Sequence, residues 1–196
     1  MQNNLSFDTH IKKKYQLANY QLLKLKKIRK YLSQKSTEIL VHGLVCSHFD
    51  FCNSLLIGQP ACQIKKLQRV QNRAARLIMN AKFDESALPL LFKLHWLPVE
   101  HRIKFKILVM IHKCVYGSAP KYLMELIQTQ RPQYNLRRAI SPLLTVPRVT
   151  NKLTERSFAV AGPMLWNELP AALRGTSDHR KFRGLIKTHL FKKAFS

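Results

Sequence analysis

The acidic residues of this chain are too few and too scattered to hold a catalytic pair of metal ions. Two-metal polymerases and nucleases keep their ions about 4 Å apart on clustered carboxylates. The four aspartates here, Asp8, Asp50, Asp84 and Asp178, stand far apart in the sequence. The nearest acidic pair, Asp84 and Glu85, precedes Ser86 at an expected helix start, where negative side chains oppose the helix dipole. His42, Cys46, His48 and Cys52 fall within eleven positions and contain two i, i+4 pairs. On a helix, however, His42–Cys46 and His48–Cys52 lie about 120° apart, and no CxxC supports a zinc site. There is no GxSxG elbow, and the six glycines are scattered rather than gathered into a phosphate loop. We therefore expect no catalytic residue, no metal ligand, no cofactor and no small-molecule substrate.

The residues that do carry chemistry are the cations. Thirty-four Lys and Arg face 10 Asp and Glu, a formal charge of +24 in 196 residues. Self-repulsion of that size weakens a compact state unless an acidic partner offsets it, and the phosphate backbone of RNA or DNA is the common one. Lys65, Arg69, Arg73 and Arg76 recur at intervals of four, four and three, which puts them on one side of a helix where they can track phosphates. Lys24 and Lys27, within a run of basic residues, and the pair Arg137-Arg138 are further candidate nucleic-acid contacts. Tyr15, Tyr20, Tyr31, Phe49 and Trp96 have the chemistry to stack on bases, but aromatic residues on helix stripes are expected in the core.

A membrane is the competing acidic surface. The longest purely apolar run, Ile107 to Ile111, falls far below the roughly 20 residues a span requires. The opening MQNNLSFDTHIKKK has no apolar stretch behind its basic residues, so no secretory signal is expected. Cys46, Cys52, Cys62 and Cys114 lack the dense spacing of a secreted scaffold and read as free, buried thiols. The expected location is nuclear and/or cytoplasmic.

The elements that must position the cations are helices. Ile11, Tyr15, Ala18, Leu22, Leu25 and Leu32 form a 3-4 apolar stripe and predict a long amphipathic helix. Ser33 and Ser36 predict the cap of a second helix from about Thr37, with Ile39, Leu40, Gly43, Leu44 and Ser47 on one face. Pro60 opens a third, with Ile64, Leu67, Val70, Ala74, Leu77 and Ile78 inward. Periodicity lapses from Asn80 to Glu85, the expected boundary between a three-helix bundle at 1–82 and a second helical region at 83–196. In that region Ser86, Pro98 and Pro120 open helices, Gly117 stops one, and Ser177 is expected to cap the last. The segment 129–154, rich in proline and β-branched residues, is expected to form extended loops or one short hairpin. The fold class is mainly α.

The segment VCSHFDFCNSLLIGQPACQIKKLQRVQNRAARLI resembles the post-palm region of LINE-type (non-LTR) retrotransposon reverse transcriptases of the Jockey and chicken-repeat clades. HWLPVEHRIKFKILVMIHKCVYGSAPKYL, the VPR at 146–148, RSFAVAGPMLWNELP and FRGLIKTHLF resemble that family's C-terminal tail in the same order, and LSFDTHI resembles the segment after the last palm strand. The resemblance implies that the first three helices are the thumb, which grips template-primer duplex, and that the rest is the tail. It also implies that the family's catalytic aspartates lie upstream of Met1, so this chain is expected to bind RNA or an RNA–DNA heteroduplex without polymerase activity of its own. Where the family usually has a basic residue, His48 stands, which removes one phosphate contact. The alternative is a non-functional or repurposed product of a truncated element, acting through protein–protein contacts if at all.

Overall fold

The structure, a computed structural model, describes residues 7–130 and 143–196. Among them it is mainly α, with one isolated antiparallel bridge, Thr129 to Leu144. The chain divides into two compact units, one formed by residues up to Arg102 together with 193–196, the other by 103–192. The expected boundary at 82/83 thus falls inside the first unit. Asn80 to Glu85 is a loop there, and the helix after it packs back onto the helix before it.

In the first unit, α1 (Asp8–Ile28) buries Ile11, Ala18, Leu22 and Leu25, the 3-4 stripe. Lys14 is buried as well, its ammonium donating to the Phe51 carbonyl while its stem packs inward. Ser33 caps α2 (Gln34–Val41) by accepting from the Ser36 N–H at 3.1 Å. The face of this helix is not the expected one, since Ile39 and Leu44 are exposed and the buried set is Thr37, Val41, Val45, Cys46 and Phe49. In α2 itself the buried side is set by Thr37 and Val41, one i, i+4 pair that leaves Ile39 outward, and a π-turn at His42–Cys46 between α2 and α3 (Ser47–Asp50) then carries that side on to Val45 and Phe49. Its wider winding brings residues spaced four by four onto one side, where a 3.6-residue period would let them drift.

Next comes α4 (Ala61–Met79), which lies against α1 and buries Leu67, Val70, Gln71, Ala74, Ala75 and Ile78. It ends on Asn80, whose left-handed backbone (φ 53°) lets the Ala81 N–H return to the Arg76 carbonyl at 3.0 Å, a Schellman-type close. α5 (Ala87–Lys93) packs on α4. The Gln71 side chain donates to Leu97 O (2.9 Å) and Gln68 accepts from the Val99 N–H (2.8 Å), so α4 also fixes the start of α6 (Val99–Val115).

The second unit carries Ile103, Ile107, Leu108 and Ile111 of α6, then α7 (Lys121–Met124), α8 (Lys152–Glu155), α9 (Phe158–Asn167), α10 (Ala171–Arg174) and α11 (His179–Phe195). Gly162 of α9 lies so close to Ile111 that a Cβ there would collide with its Cδ1. His112, fully buried, stacks on Phe182 of α11 with ring centroids 4.2 Å apart and hydrogen-bonds the Thr176 carbonyl at 2.8 Å. Burial holds its pKa below the ordinary imidazole value. Ser177 does not cap α11. That role falls to Asp178, whose carboxylate accepts from the Lys181 N–H at 2.8 Å. In the segment 129–154, read as loops or a hairpin, the described residues make one bridge, Thr129–Leu144, with Asn167 bonding both the N–H and the carbonyl of Leu144 (2.9 and 2.8 Å), and residues 131–142 lie outside the described residues.

Candidate nucleic-acid interface

The amphipathic character of α4 decides where its cations go. With Leu67, Val70, Ala74 and Ile78 inward, Lys65, Arg69 and Arg73 are exposed and Arg76 is half-buried at the edge of the core. Over the 11 residues from Lys65 to Arg76 the helix rises roughly 16 Å, so the four make a row along one side. No described carboxylate lies within ion-pair distance of any of them. Arg73 donates to the Asn19 side-chain oxygen (3.0 Å) and Arg76 makes two bonds to the Glu85 carbonyl (2.9 and 2.7 Å). These neutral acceptors orient the guanidinium groups and leave their charge uncompensated.

The row runs into a groove of about 790 Å³ between α1 and the C-terminal end of α4. Its cations are Lys26, Arg29 and Lys30 from the α1 side and Arg73 and Arg76 from α4. Its apolar lining includes Leu22, Leu23, Leu77 and Phe83. Arg29 is spent on the fold. Its guanidinium donates to Leu77 O (2.8 Å), Ile78 O (3.0 Å) and Leu32 O (2.8 Å), which satisfies carbonyls that the end of α4 leaves unpaired and places a cation at its negative pole. Lys26 and Lys30 are exposed and, like the α4 row, have no described acidic partner.

Lys24 and Lys27 do not share this groove. They are exposed on α1, but roughly 100–160° around the helix from Lys26, on the side of Tyr20. Lys24 sits 4.4 Å from the Tyr20 ring centroid. Arg137 and Arg138 lie outside the described residues. In the sequence Lys26 and Lys30 stand simply as members of the basic run at 24–30. The signal that singles them out is the 19, 23, 26, 30 spacing flanking the buried Leu22 and Leu25, which becomes decisive only when α4 is known to lie alongside. Of the aromatic residues expected in the core, Phe49 and Trp96 are buried and Tyr15 is half-buried, whereas Tyr20 and Tyr31 are exposed.

The other charged cluster of this unit is internally neutralised. Arg102 pairs with Asp50 at 2.7 Å, donates to Leu97 O, and lies over the Phe49 and Trp96 rings at 5.6 and 5.5 Å. Beside it Cys46 is buried, and burial pushes its thiol up to about 12. His42 packs edge-on against Trp96, and Cys52 is exposed, so the His/Cys group of 42–52 does not converge. Among the described residues no three His, Cys, Asp or Glu side chains are placed to hold a metal ion, and no helix is long and apolar enough to cross a membrane. No protein-family profile, curated protein or solved structure matches this chain.

Proposed function

We propose that this chain is a nucleic-acid-binding module, the thumb and tail portion of a LINE-type RNA-directed DNA polymerase, which grips the backbone of RNA or an RNA–DNA heteroduplex and has no polymerase activity of its own. The family part of this reading rests on the ordered sequence motifs. The binding part rests on one observation, the row Lys65, Arg69, Arg73 and Arg76 continuing into Lys26 and Lys30 with no ion pair to a described carboxylate. A row of cations on rigid helices meets phosphates without reading bases, so binding is expected to be strong and weakly sequence-dependent. Nuclear and/or cytoplasmic residence follows from the same reading.

Fluorescence anisotropy of labelled RNA and heteroduplex against a salt series tests this. With six phosphates neutralised, log affinity falls with log salt at a slope of about −4 to −5. A flat response, or no binding at low salt, overturns the proposal.

A further inference from the structure

The groove at the end of the cationic row has a lining that phosphate contacts alone do not account for. Leu23 is 61% and Phe83 81% exposed beside Lys26, Lys30, Arg73 and Arg76. Phosphate groups offer no apolar surface to cover such side chains, whereas a nucleobase offers two broad apolar faces and is joined to a phosphate. In a duplex those faces are stacked inside, and only an unpaired nucleotide can present them. The groove volume, about 790 Å³, lies in the range of roughly 300–1,000 Å³ typical of sites for small-molecule-sized ligands. The Phe83 ring is also held in an organised setting. Arg76, fixed by two hydrogen bonds to Glu85 O, has its guanidinium 5.8 Å from the Phe83 ring centroid, so cation and ring are presented together. Asn80 also lines the groove, and its side-chain amide has the donor and acceptor that a base edge requires.

We propose that this groove takes an unpaired nucleotide at a single-stranded end or bulge of the bound RNA, its base stacking on Phe83 and Leu23 and its phosphates on Arg73, Arg76, Lys26 and Lys30. This rests on the reading of α4 as a phosphate-binding helix and adds to it a preference for a junction between paired and unpaired strands.

The test compares the full chain binding a blunt RNA duplex with the same duplex carrying a short single-stranded end that contains a fluorescent adenine analogue. The overhang is expected to bind about tenfold more tightly, the scale of one base–aromatic stack, and the analogue is expected to be quenched on binding. Phe83→Ala, at an exposed position, abolishes both the preference and the quench, so that the two RNAs bind it equally; Phe83→Trp retains them. Equal affinity for the two RNAs, or a preference that survives Phe83→Ala, overturns the nucleotide site and leaves the backbone-binding reading standing. Binding of neither RNA overturns both.

Discussion

Arg29 is the residue whose removal tests most sharply how the cationic groove is built. Its guanidinium supplies hydrogen bonds to the Leu77 and Ile78 carbonyls of α4 and to the Leu32 carbonyl after α1, at 2.8–3.0 Å. Arg29→Met keeps much of the stem and deletes all three. A hydrogen bond from a charged donor contributes about 1.5–3 kcal/mol. Water at the groove can re-solvate part of what is lost, so the three together do not add, and a local loss of about 2–3 kcal/mol is expected at the end of α4. Each 1.4 kcal/mol is a factor of ten, so amide hydrogen-exchange protection over residues 76–81 should fall roughly 30- to 150-fold. Protection in the second unit should not change. Arg29→Lys keeps the charge but not the fork and should recover only part of the loss. Unchanged protection at 76–81 in Arg29→Met refutes the argument that a cation from α1 closes the end of α4.

Two further outcomes follow from burial. With Cys52 and Cys62 exposed and Cys46 and Cys114 buried, a thiol reagent applied to the native chain should titrate two thiols quickly and the other two only in denaturant; fast reaction of Cys46, whose thiol burial raises to about 12, contradicts the packing around Arg102. His112 is held below the ordinary imidazole pKa by burial, so the unfolded chain takes up its proton first as pH falls, and the second unit should keep its full stability above about pH 6.5 and lose it below. Thermal melts on descending pH should show this, with a weaker pH dependence in His112→Phe. A melting temperature that rises on acidification contradicts it.

Much of the helical framework is legible in the sequence because its signals are local. The Ile11-to-Leu25 stripe, the Ser33 cap, the helix starts after Pro60 and Pro98 and the stop at Gly117 all depend on neighbours within a turn or two. The exposed row on α4 follows from the same logic, since its buried positions are spaced regularly. What is not legible depends on winding or on partners. A π-turn leaves no mark in composition, and at His42–Cys46 it leaves Leu44 outward and Val45 inward. Lys14 reads as a surface cation until Phe51 is brought against it from 37 residues away. The lapse of periodicity at Asn80 to Glu85 does not mark where one unit ends, because a loop interrupts periodicity whether or not the next helix folds back, and α5 does fold back onto α4. Choosing Lys26 and Lys30 over Lys24 and Lys27 likewise requires knowing which flank of α1 faces α4.

The claim that α4 is a phosphate-tracking helix is tested most directly by the salt dependence of RNA binding in Arg69→Gln/Arg73→Gln beside the unmodified chain. Both residues are exposed, so the double variant should fold with unchanged helicity. Losing two phosphate contacts should make the slope of log affinity against log salt shallower by about 1.4–1.8. A slope identical to that of the unmodified chain would mean that the row does not touch the backbone, and the account would be wrong.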